Sequence, residues 1–141
     1  MTTNDDPSAA WTRVLSSIAT HRSKLRTYGV LALIDAAEKG RVADGRLSFS
    51  DFSESFRSLV PPAEGKKAWM PFYYLSGRAG LWSLWLDEEN ADFGALAKKK
   101  PTSAASLKTR ANYARITEDL FPEIGSAPCR KQLAEILRSS L

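Results

Sequence analysis

The spacing of apolar residues predicts two helices in the first third of the chain. Apolar side chains recur three or four positions apart between residues 11 and 18, which is typical of one buried helix face. Residues 27–39 are more densely apolar and are followed by Gly40, a residue type that commonly ends helices. We expect this second helix at the centre of the core, and Gly29 inside it indicates the close approach of another backbone segment.

The middle of the chain combines a strand and helix pattern with two aromatic, apolar runs. Residues 46–49 are typical of a short strand, and residues 52–60 carry apolar side chains at helical spacing. The runs 69–75 and 81–86 are joined by a five-residue, glycine-containing segment, which predicts a β-hairpin. Pro71 is then expected on an edge or at a strand start, since proline cannot donate to a hydrogen-bond ladder.

Shorter helix patterns follow towards the C-terminus. They cover residues 90–100 and 116–121, and a longer apolar stripe predicts a last helix that starts near residue 126. The sequence therefore predicts a small, mostly helical α+β domain of about five helices with a short β-hairpin. Residues 1–9 are expected to form a disordered tail, and residues 10–141 a single domain.

Length and composition are those of one globular domain. The chain has 141 residues, of which 43% are hydrophobic and 26% are charged. Its longest apolar run is far shorter than the ~20 residues of a membrane span, and its polar, acidic start is unlike a signal peptide. With Cys129 as the single cysteine, no internal disulfide can form, and a cytoplasmic location is the expectation.

The formal net charge of +4 is unevenly distributed along the chain. No acidic residue lies between Asp6 and Asp35 or between Asp92 and Glu118, and these two stretches hold ten of the 20 basic residues. Segregation of charge is what a polyanion-binding face requires. An unevenly charged, solvated surface is the alternative interpretation.

Residues suited to catalysis are sparse. His21 is the single histidine and Cys129 the single cysteine, so a metal site of these ligands cannot be assembled. The acids at 87–89 have no second acidic cluster to pair with, and the glycines at 77–80 lack the Lys-Ser/Thr end of a phosphate-binding loop. The sequence therefore predicts a binding module without metal or cofactor rather than an enzyme.

Three segments together resemble the sulfur-binding domains of modification-dependent (type IV, HNH-fused) restriction endonucleases. In the first, the basic residue Arg26 opens an aliphatic helix that ends in Asp35. The second reads MPFYYL at 70–75 and GLW at 80–82, similar to the family's Pro-Phe-aromatic-x-Leu…Gly-x-Trp hairpin. The third is the C-terminal segment from Leu120, which is similar to the family's tail.

The resemblance implies recognition of double-stranded DNA whose backbone carries a phosphorothioate. In the family an HNH nuclease domain cuts the DNA; this sequence has no HNH motif, so the nuclease would be fused to it or associated with it. Sulfur in place of a phosphate oxygen keeps the negative charge but is larger, softer and a weaker hydrogen-bond acceptor. Its reader must therefore combine cationic groups with an apolar, polarizable surface.

The resemblance also implies which residues form the sulfur site. The candidates are Arg22, Arg26, Met70, Pro71 and Tyr74. Two of them depart from the family pattern. An aromatic residue often precedes the proline where this chain has Met70, and a small residue often stands at the position of Tyr74, so the pocket is expected to be reshaped.

Additional contacts to phosphates or to guanine edges are expected from basic residues outside that site. These are Arg78, Lys98, Lys99, Lys100, Lys108 and Arg110. Two alternative functions stay open at this point: a general nucleic-acid-binding accessory domain without sulfur preference, and a protein-interaction domain of a bacterial defence system. Only the nucleic-acid readers should bind plain duplex with a steep salt dependence.

Overall fold

The computed structural model describes residues 7–19, 24–76, 80–91 and 94–141. The α-helices in this part of the chain are α1 (Ala9–Ala19), α2 (Leu25–Glu38), α3 (Phe49–Leu59), α4 (Trp69–Tyr74), α5 (Ala95–Lys98), α6 (Ala104–Lys108), α7 (Phe121–Ile124) and α8 (Ala127–Ser139). The strands are β1 (Arg46–Ser48), β2 (Trp82–Leu86), β3 (Glu89–Asn90) and β4 (Tyr113–Ile116), and short 3₁₀ segments cover Pro62–Lys67 and Glu118–Leu120. The predicted α+β class is confirmed.

The strands form one four-stranded antiparallel sheet in the order β1-β4-β2-β3. Ala114 of β4 lies between Leu47 of β1 and Leu84 of β2, and all three residues are fully buried. Tyr113 of β4 lies opposite Trp85 of β2, and both are half-buried. Because side chains alternate along a strand, one face of the sheet packs on the helices and the other is turned to solvent.

Helix α2 is the centre of the core, as its apolar density predicts. It packs against α3, α4 and α8, and Val30, Ala32 and Leu33 have no exposed surface. A helix that is apolar around its whole circumference is stable only when other elements cover it on several sides. The three neighbouring helices supply that cover.

The β-hairpin predicted from residues 69–75 and 81–86 is wrong in its first half. Residues 69–74 form helix α4, whereas the second run forms strand β2 and pairs with β3 and β4. Pro71 lies in the first turn of α4, where its missing N–H interrupts no helical hydrogen bond, and not on a strand edge. Aromatic enrichment favoured a strand, but tertiary packing decides the conformation of so short a segment.

The short helix predicted at residues 116–121 is also wrong. Strand β4 ends at Ile116, a 3₁₀ segment covers Glu118–Leu120, and α7 begins only at Phe121. Of the helix expected at 90–100, the described residues show α5 at Ala95–Lys98, while Asn90 belongs to β3 and residues 92 and 93 lie outside the described residues. The predicted strand at 46–49 and the long last helix are confirmed, and Ser126 caps that helix by accepting from the Cys129 N–H.

Gly29 marks a close contact between two helices, as expected. A Cβ atom placed on this residue would lie 2.8 Å from Pro71 Cβ and 2.7 Å from Leu75 Cδ1. Only glycine therefore lets α4 approach α2 so closely, since any side chain would force the two helices apart. The contact places the first turn of α2 beside the proline of α4.

The N-terminal residues join the domain earlier than the expected tail at 1–9 suggests. The backbone N–H of Ser8 donates to the buried Glu123 carboxylate at 2.8 Å, and helix α1 begins at Ala9. Residues 1–6 lie outside the described residues. Within the described part of the chain, every helix is too short or too polar to cross a bilayer.

Candidate nucleic-acid interface

Two cationic side chains meet at one aromatic ring beside the α2–α4 contact. The guanidinium carbon of Arg26 lies 5.1 Å from the centroid of the Tyr74 ring, and the Nζ atom of Lys100 lies 4.8 Å from it. Arg26 comes from the first turn of α2, Tyr74 from the last turn of α4, and Lys100 follows α5. We refer to these three residues as the Tyr74 cluster. Cation–π attraction stabilises both cations next to the ring.

Both cations of the Tyr74 cluster stay charged at neutral pH. Partial burial lowers the pKa of Arg26 and Tyr74 acts in the opposite direction, but a guanidinium titrates too far above neutrality to lose its proton here. The pKa of Lys100 is raised, mainly because its ammonium group donates a hydrogen bond to the Tyr74 hydroxyl. The cluster therefore presents two positive charges at a tyrosine edge.

The structure places four of the sulfur-site residues implied by the resemblance on the neighbouring helices α2 and α4. Arg26 and Tyr74 are in contact, and Met70 and Tyr74 are half-buried, so both retain surface for a ligand. Pro71 is buried against Gly29, so its ring mainly packs the helix pair instead of forming an open wall. Arg22 lies outside the described residues.

The lysines that were predicted to contact DNA are exposed to solvent. Lys98, Lys99, Lys100 and Lys108 are all solvent-accessible, and no ion pair within residues 24–76 or 94–141 involves any of them. Lysines without a carboxylate partner keep their full charge available to phosphates. The Nζ atom of Lys108 lies 5.8 Å from the centroid of the Phe49 ring.

Arg110 is half-buried, and its Nη1 atom donates to the backbone carbonyl of Lys99 at 3.0 Å. This hydrogen bond connects the chain that follows α6 with the 98–100 segment. A contact of Arg110 with DNA stays a prediction. Arg78 lies outside the described residues.

Replacing Lys98, Lys99 and Lys108, the exposed lysines outside the Tyr74 cluster, together with glutamine should weaken binding to modified and to plain duplex by similar factors. The reason is that these lysines would contact phosphates, which carry no sequence information. The plot of log affinity against log salt should become shallower by up to ~0.9 for each phosphate contact removed. Binding titrations at four or more salt concentrations measure this slope.

A matched control removes the same number of charges elsewhere. Lys39 follows α2 and Lys131 and Arg138 lie on α8, all three outside the acid-free stretches, and glutamine at all three should leave the salt slope unchanged. Equal slopes for the Lys98, Lys99 and Lys108 variant and the parent protein would mean that those lysines are only solvated surface charges.

A groove of about 350 Å³ lies between α2 and α8. In it, Arg130 donates to the Glu38 carboxylate at 2.7 Å and to the Ile124 carbonyl at 2.6 Å. Both signs of charge line the groove, so it lacks the segregated positive charge that a polyanion-binding face requires. Among the described residues, no three His, Cys, Asp or Glu side chains come close enough together to hold a metal ion.

The sequence analysis missed a second aromatic and cationic surface, on the solvent side of the sheet. It consists of Arg46, Trp85, Tyr113 and Arg115, and we call it the outer sheet face. The pattern Tyr-Ala-Arg-Ile at 113–116 alternates in the manner of a strand and could have indicated it. Its four residues were too few to outweigh the neighbouring helix pattern.

A comparison of the chain with protein-family models, with curated proteins and with solved structures finds no match. The residues and the geometry described above therefore carry the functional interpretation.

Proposed function

We propose that this protein is a DNA-binding module that reads phosphorothioate-modified double-stranded DNA and has no catalytic activity of its own. The observation that supports it most is the meeting of Arg26 and Lys100 at Tyr74, beside the Pro71–Gly29 contact. The resemblance to sulfur-binding domains selects Arg26, Pro71 and Tyr74 independently of the geometry, and Lys100 comes from the acid-free basic stretch. Cleavage would be the task of an HNH nuclease, fused or associated, in a bacterial restriction system.

The Tyr74 cluster suits the chemistry of a phosphorothioate. The modified phosphate keeps its negative charge, which two neighbouring cations offset. Its sulfur is soft and poorly hydrated, and the half-buried thioether of Met70 and ring of Tyr74 offer polarizable surface for it. A hydrogen-bonding pocket alone would favour oxygen, so the combination of cations with an apolar wall is what would produce a preference for sulfur.

The exposed lysines would provide the binding that does not depend on the modification. Lys98, Lys99 and Lys108 extend the positive surface away from the Tyr74 cluster in a region without acidic residues between 93 and 117. Contacts of this kind position a protein on a duplex without reading its sequence. Bases would be read by arginine or lysine side chains that reach guanine edges in the major groove.

The protein should bind a duplex with one phosphorothioate at least about tenfold tighter than the same unmodified duplex, a difference of about 1.4 kcal/mol. Only one of the two phosphorus stereoisomers should be preferred, because a fixed wall lies on one side of the phosphate. Titration of matched duplexes with each stereoisomer measures both effects. Equal affinities for the modified and the unmodified duplex in several sequence contexts would contradict phosphorothioate reading and favour a general nucleic-acid-binding domain.

Two substitutions locate the sulfur contact within this prediction. Met70→Ala should reduce the preference for modified DNA while preserving the weak, salt-sensitive binding to plain duplex. Ile136→Ala removes an exposed apolar side chain from α8. It should change neither the preference for modified DNA nor the binding to plain duplex. Pro71→Ala is a less informative variant, because the Pro71 ring is buried. Loss of this ring should lower the free energy of unfolding by about 1–2 kcal/mol. If Met70→Ala retains the full preference, the sulfur does not meet this surface.

A further inference from the structure

The outer sheet face carries two aromatic rings side by side. Trp85 and Tyr113 lie opposite each other on β2 and β4, with their ring centroids 6.4 Å apart and their planes inclined by 24°. Both are half-buried, so each ring keeps surface open to solvent. The indole N–H of Trp85 is held by Ser83 Oγ at 2.9 Å, which fixes the orientation of the ring. Exposed aromatic rings on a sheet are suited to stacking with unpaired bases.

Two arginines frame these rings on the same face. The guanidinium carbon of Arg115 lies 3.7 Å from the centroid of the Trp85 ring, and that of Arg46 lies 5.3 Å from the Tyr113 ring. Arg46 and Arg115 are opposite each other across β1 and β4, so their charges lie side by side. Arg115 also has a buried Nε atom that lacks a hydrogen-bond partner within the described part of the chain. A planar guanidinium stacked on tryptophan is itself a platform for a base.

A single carboxylate occupies the space between the two arginines. Glu88, in the turn between β2 and β3, places one oxygen 3.4 Å from Arg115 Nη2 and the other 3.7 Å from Arg46 Nη1. The Glu88 side chain is 77% exposed, so breaking its ion pairs with the two arginines costs little free energy. A carboxylate bridging two guanidinium groups occupies the position that a phosphate would take.

The neighbouring acids do not add to this contact. Asp87 is held at the turn by Asn112, whose side chain accepts from its N–H at 3.1 Å and donates to its carboxylate at 3.2 Å. Glu89 pairs with Leu86, two positions from Leu84 and thus on the side of the strand that faces the helices. Glu88 is therefore the carboxylate that a phosphate would have to displace.

We infer that the outer sheet face is a second nucleic-acid site, which binds single-stranded nucleic acid. Tyr113 and the Arg115 guanidinium that covers Trp85 stack on bases, the edges of Arg46 and Arg115 hold the phosphate between them, and Glu88 competes for the same position. The buried face of β2 packs on α4, where the indole N–H of Trp82 donates to the Phe72 carbonyl at 2.9 Å. The single-strand site thus lies on the opposite side of the sheet from α4 and its Tyr74 cluster, and it does not depend on phosphorothioate reading.

The test measures the binding of a fluorescently labelled oligothymidylate of twelve nucleotides by anisotropy at low salt. Tyr113→Ala should weaken binding about 5- to 100-fold, the range expected for losing one base–aromatic stack. Arg46→Ala should weaken it about tenfold and make its salt dependence shallower by ~0.7, the value for one phosphate contact on a single strand. Thermal melting of each variant verifies that the domain is still folded.

Glu88→Gln is the decisive variant, because it should strengthen binding about three- to tenfold, and misfolding cannot produce a gain. Glu118→Gln removes an exposed carboxylate from a different segment and serves as the matched control. It should change oligothymidylate affinity little. A parent protein that fails to bind the oligothymidylate would overturn the inference. So would tighter binding of an oligoglutamate peptide, which would identify the face as a site for an acidic protein segment.

The same measurements separate this site from the duplex site. Arg26→Ala should leave oligothymidylate binding unchanged, and Tyr113→Ala should leave the preference for phosphorothioate duplex unchanged. Loss of both activities in either variant would overturn the assignment of two distinct sites. Failure of phosphorothioate discrimination alone would contradict the proposed function and leave the single-strand site standing.

Discussion

Trp82→Ala should lower the free energy of unfolding by about 3–5 kcal/mol, the largest stability loss that we expect from one substitution here. Trp82 is 2% exposed, and its ring centroid lies 5.5 Å from that of Phe52 and 5.4 Å from that of Phe72. Its removal leaves a large cavity and an unpaired Phe72 carbonyl. For a domain of this size the midpoint of thermal unfolding should fall by about 12–20 °C.

The loss should be specific to the buried ring. Trp85→Phe, on the solvent side of the same strand, keeps an aromatic ring and should change the melting temperature by only a few degrees. DNA binding by Trp82→Ala should fall in proportion to the unfolded fraction and recover on cooling. A melting temperature within about 4 °C of the parent protein would contradict the assignment of Trp82 to the core.

Long periodic segments were predictable because their local pattern and their tertiary environment agree. Helix α2 is densely apolar and is followed by Gly40 at positive φ. The helix predicted at 52–60 is confirmed as α3, although it begins three residues earlier, after the cap Ser48, which accepts from the Asp51 N–H. In helix α8, Leu133 and Leu137 recur at helical spacing and are buried. In each case propensity, capping and burial all indicate the same structure, so the sequence was sufficient.

Short elements were not predictable, because contacts with distant residues determine them. Helix α4 has six residues, five of them aromatic or proline, and its local preference is closer to that of a strand. It is a helix because Pro71 fits against Gly29 and Phe72 packs between Phe49 and Trp82. Strand β4 depends in the same way on partners at 46–48 and 82–85.

The candidate site was predictable only in part. The family resemblance assigned Arg26 and Tyr74 to one site. Tyr74 was expected on a β-hairpin, whereas it lies on helix α4. The hydrogen bond from Lys100 to Tyr74 could not be foreseen, since it depends on how the chain returns after α5. The outer sheet face was missed because which face a strand residue occupies depends on register, and β4 was not predicted to be a strand.

The double variant Arg26→Ala/Lys100→Ala should show the largest loss of DNA affinity among the substitutions at the Tyr74 cluster. Each cation is expected to make one charge-assisted contact to the bound phosphate, worth about 1.5–3 kcal/mol, so each single variant should lose about tenfold or more. The double variant should lose more than either single variant on modified duplex and less on plain duplex, because the modified phosphate is the one held at Tyr74. Titrations of both duplexes with the parent and the three variants measure these losses.

The two single losses should not add, because both cations contact the same ring. Removing Arg26 frees Tyr74 to be held by Lys100 alone, so the coupling energy from the double-mutant cycle should be nonzero. Tyr74→Phe refines the result: it keeps the ring next to Arg26 but removes the hydroxyl that Lys100 donates to, and should reproduce only part of the Lys100→Ala loss. Lys131→Ala on α8 controls for net charge and should leave both affinities within about twofold of the parent. If Arg26→Ala and Lys100→Ala weaken binding independently and by equal factors on both duplexes, the two cations bind separate phosphates and Tyr74 is not the centre of the site.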